Sequence, residues 1–68
     1  MKYAVIFEST PNNFAAYVPD LPGCVATGVT RKEVETNIRE AISFHIEGLK
    51  AEGEEVPRPT TWTELVEA

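Results

Sequence analysis

Apolar residues change period twice along this chain. From Lys2 to Ser9 they alternate, with Tyr3, Val5 and Phe7 on one side and Ala4 and Ile6 on the other. Alternation predicts a strand, and apolar residues on both sides predict a central strand or one with a second covered face. Thr10-Pro11-Asn12-Asn13 then reads as a hairpin turn, because Pro presets φ and Asn tolerates the left-handed region. Phe14 to Val18 returns as a second strand. Leu21-Pro22-Gly23-Cys24 has Pro and Gly at the two central positions of a type II turn, whose third position needs φ > 0. Asp20 stands just ahead of it as an acceptor for nearby backbone N–H groups. Cys24 to Val29 is a third short strand, and Gly28 near its end marks a bulge or a close backbone approach.

The period then lengthens. Thr30-Arg31-Lys32-Glu33 is a capping box, in which Glu33 is expected to reach back to Thr30. Val34, Ile38, Ala41, Ile42, His45, Ile46 and Leu49 follow as one stripe at helical spacing, predicting a helix to about Glu52. Gly53 suits the position after the last turn, and Pro57 and Pro59 prevent continuation. Thr60 to Ala68 reads two ways. Thr61 and Trp62 favour a strand ending in Glu64-Leu65-Val66-Glu67, whereas Thr61 followed by Glu64 would cap a short helix. The strand is preferred. The order is then β-β-β-α-β, an α+β domain with one long helix over one face of an antiparallel sheet. A single helix covers one face only, so the other face and any free edge call for a second chain.

Composition sharpens this picture. The 68 residues, 43% of them hydrophobic, suffice for one domain. A core this small is marginal alone and is usually reinforced by disulfides, a metal or association. The single cysteine, Cys24, cannot form an internal disulfide, and with His45 it cannot complete a structural zinc site. Association remains. A net charge of −5 argues against direct nucleic-acid binding and favours a basic protein partner. No apolar run has the ~20 residues of a membrane span. Glu8 interrupts the N-terminus too early for a signal peptide, so a cytoplasmic location is expected.

Candidate chemistry is sparse. Cys24 needs a base or cation to act as a nucleophile, and the only histidine lies on the core stripe of the helix. A packed thiol and a packed histidine are the simpler reading. The acidic residues spread over the helix surface and the following connection, unlike the convergent carboxylates of a metal-dependent nuclease. Gly23 and Gly28 do not open a helix, so they form no phosphate loop. Trp62, in a polar Pro-flanked tail, is a lid on the core or an interface anchor. Phe44 lies off the stripe and marks a further interface candidate.

One stretch carries a resemblance. Pro19-Asp20-Leu21-Pro22-Gly23-Cys24, the Gly28-Val29-Thr30 lead into the helix, and Glu33-Val34-Glu35-Thr36-Asn37-Ile38-Arg39-Glu40-Ala41-Ile42 follow in order. Together they resemble the HicB-type antitoxins of bacterial and archaeal toxin–antitoxin pairs, with Val34 in place of a usual Ala. The resemblance runs from Lys2 to about Gly53, with a vaguer match to the final strand. It implies a single HicB-like domain over 1–68, a reduced ribonuclease-H-like β-β-β-α-β fold with no enzymatic activity, cofactor or metal. It further implies a HicA-type toxin as partner, a small basic mRNA-cleaving protein whose active site the antitoxin covers. Homodimers or homotetramers are implied as well. The expected contacts are the turn residues Asp20, Leu21, Pro22 and Gly23, the acidic helix surface, and Trp62 and Glu64 in the tail. Many such antitoxins add a C-terminal DNA-binding domain. This chain stops at Ala68, so direct operator binding is not expected. The alternative is a stand-alone homo-oligomeric module that binds a protein or ligand and has no toxin partner.

Overall fold

The computed structural model describes all 68 residues. Strands β1 (Ile6–Ser9), β2 (Phe14–Tyr17) and β3 (Val25–Gly28) precede a helix, α1 (Arg31–Ala51). The strands form one antiparallel sheet in the order β1-β2-β3. Strand order and fold class match the sequence expectation up to the helix. The fifth element does not form: residues 54–68 contain neither strand nor helix. Pro57 and Pro59 have no N–H to donate, and the amides of Thr60 and Thr61 are engaged by a side chain. Beyond them the chain makes no ladder bonds.

Local chemistry explains each boundary. At the hairpin, the Thr10 hydroxyl accepts from the Asn13 amide at 2.9 Å and donates to Asn13 Oδ1 at 2.6 Å. The Thr10 amide closes the loop on the Asn13 carbonyl at 2.8 Å. β1 is shorter than the apolar alternation suggested. Continuing the register that pairs Ile6 with Tyr17 sets Ala4 opposite Pro19, which has no N–H, while the Val18 amide bonds across to Cys24. β1 is also an edge strand, not a central one. The second turn is of the expected type, with Gly23 at φ 86° and the Cys24 amide bonded to the Leu21 carbonyl.

Thr30 caps α1 by accepting from the Glu33 amide at 3.0 Å. The Glu33 carboxylate reaches one residue further back than a capping box requires and accepts from the Val29 amide at 3.1 Å. At the other end Gly53 takes φ 73°. The Glu54 and Gly53 amides bond to the Leu49 and Lys50 carbonyls, which is a Schellman closure.

The core lies between the sheet and the first half of the helix. Ala16, Val18, Leu21, Cys24, Val34 and Ile38 are buried, and Leu21 is wholly so. The helix is off-centre: it rests on β3 and β2 and does not touch β1. Gly28 permits this seat, because a Cβ there would lie 2.5 Å from the Val34 nitrogen. Asn37 ties the helix to β3 by donating to the Thr27 carbonyl at 2.9 Å.

Candidate partner-binding surface

Asp20 organises one end of the molecule. Its Oδ2 accepts from the Thr60 and Thr61 amides, each at 3.0 Å. Its Oδ1 accepts from the two threonine hydroxyls at 3.0 and 2.8 Å. The local turn-capping role expected for Asp20 is therefore replaced by a clamp on a segment 40 residues away. The Thr61 amide, ahead of the other three donors, holds the carboxyl at about 2, below its ordinary 3.8. The Tyr3 hydroxyl adds a second tether by donating to the Pro57 carbonyl.

The other candidate residues fall around this clamp with different fates. Leu21 fills the core and presents nothing to a partner. Pro22 and Gly23 are exposed on the turn. Trp62 is 77% exposed, and its indole N–H donates to Glu64 at 3.2 Å. Of the two readings of Trp62, the core lid is excluded. Asp20 is two positions from Pro22, and Thr61 adjoins Trp62, so one carboxylate brings the exposed turn and the tail together.

Sequence reading missed three participants: Thr60, Thr61 and Tyr3. Two adjacent threonines offer two amides and two hydroxyls, which suits a single carboxylate. Nothing local, however, links them to an aspartate 40 positions earlier.

A second surface runs beside β1. The off-centre helix leaves an open groove of about 670 Å³, floored by Tyr3, Val5, Phe7, Ile38 and Ile42. Lys2, Arg39 and Glu35 line its rim. On the opposite face of the sheet, the register aligns Ile6, Tyr17 and Val25 in a row across all three strands. Tyr17 and Val25 are exposed there. Phe44 is exposed on the helix.

Cys24 is buried, and desolvation pushes its thiol up, away from the reactive thiolate. No three His, Cys, Asp or Glu side chains converge where one metal ion could sit. Past the helix C-terminus the Glu54 carboxyl is raised, first by its hydrogen bond with Glu52 and then by that neighbour's charge. No helix is long and apolar enough to cross a membrane.

Known proteins resemble this chain in sequence and fold. A family model described as HicB-like antitoxin of bacterial toxin–antitoxin system matches residues 3–68. A UPF0150 protein of Thermoplasma acidophilum is 46% identical over 59 residues, which cover 85% of this chain and 86% of that protein. An uncharacterized protein of the rep–hol intergenic region of Haemophilus phage HP1 is 43% identical over 58 residues. That match covers 85% of this chain but 44% of the phage protein, so the chain spans less than half of that relative. Among solved structures, a chain of a HicA3 and HicB3 toxin–antitoxin complex superposes with a TM-score of 0.75 at 35% identity. The match covers 87% of this chain and 70% of that one.

Proposed function

This chain belongs to the HicB-like antitoxin family, and from that premise we propose that it neutralises a HicA-type toxin by binding over the toxin's active site. The observation that carries this reading is the likeness to a chain of a HicA3 and HicB3 complex, which extends over 87% of the molecule. The partner is a small basic protein that cleaves mRNA, and the interaction takes place in the cytoplasm. The role is occlusion, not catalysis.

The surface suits that task. A net charge of −5 attracts a basic protein and raises its rate of encounter. Glu35, Glu40 and Glu47 are exposed along the helix. The contact set we propose is Pro22 and Gly23 on the turn with Trp62 and Glu64 on the tail, and Asp20 holds the two parts in register. An exposed tryptophan at a tethered position is the kind of anchor that dominates a small interface. Repulsion between this acidic surface and phosphates leaves direct nucleic-acid binding outside the role.

The test is co-expression with the product of a neighbouring gene for a short basic protein. Co-purification and restored growth are the expected results. Trp62→Ser is expected to weaken the complex by ~10-fold or more, as for an interface anchor. Absence of such a gene, or failure of its product to co-purify, would favour the stand-alone module.

A further inference from the structure

The groove beside β1 differs from the rest of the surface in two respects. The first is charge. The chain carries eleven acids and six bases, yet the groove is lined by two of the bases, Lys2 and Arg39, and by one acid, Glu35. A chain that is acidic as a whole has a basic border here. The second is the floor. Ile38 is buried, Tyr3, Val5 and Ile42 pack partly buried against the core, and Phe7 is exposed. The helix does not touch β1, so these apolar side chains face open space between the two elements.

The shape of the groove selects a linear occupant. Tyr3, Val5 and Phe7 stand at alternate positions, which share one side of an extended chain. From Tyr3 to Phe7 is about 13 Å at the rise of a strand. The helical side, from Glu35 to Ile42, is about 10 Å long. A saturated chain of roughly ten carbons, with zigzag bonds of ~1.5 Å, has a matching length. The volume of about 670 Å³ lies in the ordinary range of small-molecule sites.

The chemistry of the lining narrows the class further. The Tyr3 hydroxyl is the single polar side-chain atom of the floor, and it already donates to the Pro57 carbonyl. A sugar, a nucleobase or a peptide amide lying on that floor would lose hydrogen bonds to water and find no replacement. A saturated chain has none to lose, and it gains from leaving water. At the border, Lys2 and Arg39 favour a negative head over a positive one, and their long flexible stems let the charges reach it.

We propose that the groove between the β1 side of the sheet and α1 binds a free linear aliphatic carboxylate of roughly ten carbons. Its chain lies against Tyr3, Val5, Phe7 and Ile42, and its carboxylate is met by Lys2 and Arg39. This inference requires no toxin and stands apart from the antitoxin reading.

Sodium decanoate is the probe, titrated into the isotope-labelled full chain and followed by amide NMR. Saturation is expected with a Kd of about 0.1–1 mM, as suits a ligand of about a dozen heavy atoms in an open site. The shifts are expected to concentrate in Tyr3 to Phe7 and Ile38 to Ile42. Octanoate, shorter by two methylenes, should bind ~5-fold more weakly. Decyltrimethylammonium, with the same chain and a positive head, should bind at least ~10-fold more weakly. Phe7→Ser, and Lys2→Gln combined with Arg39→Gln, change exposed side chains only. Both variants should keep the circular dichroism spectrum and weaken decanoate by ~5-fold. Absence of shifts in the groove at about 5 mM, equal binding of the two head groups, no dependence on chain length, or unchanged affinity in both variants would each overturn the proposal. So would a dimer by light scattering whose groove residues decanoate does not reach, because a second copy would then be the occupant.

Discussion

The two edges of the sheet are finished in different ways. At the β3 edge the helix sits directly on the strand, with Gly28 against Val34 and Asn37 bonded to the Thr27 carbonyl. At the β1 edge the helix is absent and a groove takes its place. Gly28 is buried at the first edge, whereas Phe7 at the second is 47% exposed. The closed side stabilises the fold, and the open side leaves Tyr3, Val5 and Ile42 only partly buried against the core and Phe7 exposed. In a chain of 68 residues, apolar area left open is a large share of what is available for folding.

Substitutions should separate the two sides. The largest effect is expected for Gly28→Val, whose side chain would have to displace the backbone at Val34. A loss of ~3 kcal/mol or more, comparable to the whole stability of a domain this small, should appear as an unfolded chain by circular dichroism. Ile38→Ala removes a buried side chain from the centre of the core and should lower stability by ~2–4 kcal/mol in urea titrations. Asn37→Ala breaks the tie between helix and β3 and should be felt at ~1 kcal/mol. On the open side, Phe7→Ser should change stability by less than ~1 kcal/mol. Equal losses of stability from Phe7 and Ile38 would remove the distinction between the edges.

The clamp responds to pH in a definite direction. The Asp20 carboxyl lies at about 2 in the folded chain, below an unfolded value near 3.8. A lowered carboxyl favours the folded arrangement once pH exceeds the unfolded value, and that contribution is lost as pH falls toward 2. Amide exchange at Thr60 and Thr61 should therefore be slow at neutral pH and accelerate as the sample is acidified through that window. Asp20→Ala should produce the same acceleration at neutral pH, with the sheet and helix amides little changed. This is the smallest effect on stability, but it reports directly on whether the tail is positioned.

Much of the architecture was legible because it rests on neighbours in the chain. The type II turn at Leu21 to Cys24 needs Gly23 at its third position, and only glycine adopts that conformation freely. The cap at Thr30, the close approach at Gly28 and the helix stop at Gly53 follow from equally local requirements. The candidate surface was legible in part. Trp62 stands exposed on a tethered tail, but Leu21, placed beside it in the same contact set, lies in the core. A hydrophobic residue in a turn motif gives no indication of which way it faces. Asp20 was recognised as an acceptor, but its donors were sought in the turn and lie in the tail.

The sequence alone determined the order of three strands and a helix, their turns and caps, and the acidic character of the surface. Each depends on residue type within a few positions. Tertiary structure decided what depends on distant parts of the chain. It placed β1 at an edge, because β2 is its one neighbour in the sheet. It also left the last strand unformed. A strand exists only beside another, and the amides that would begin it are bound to Asp20.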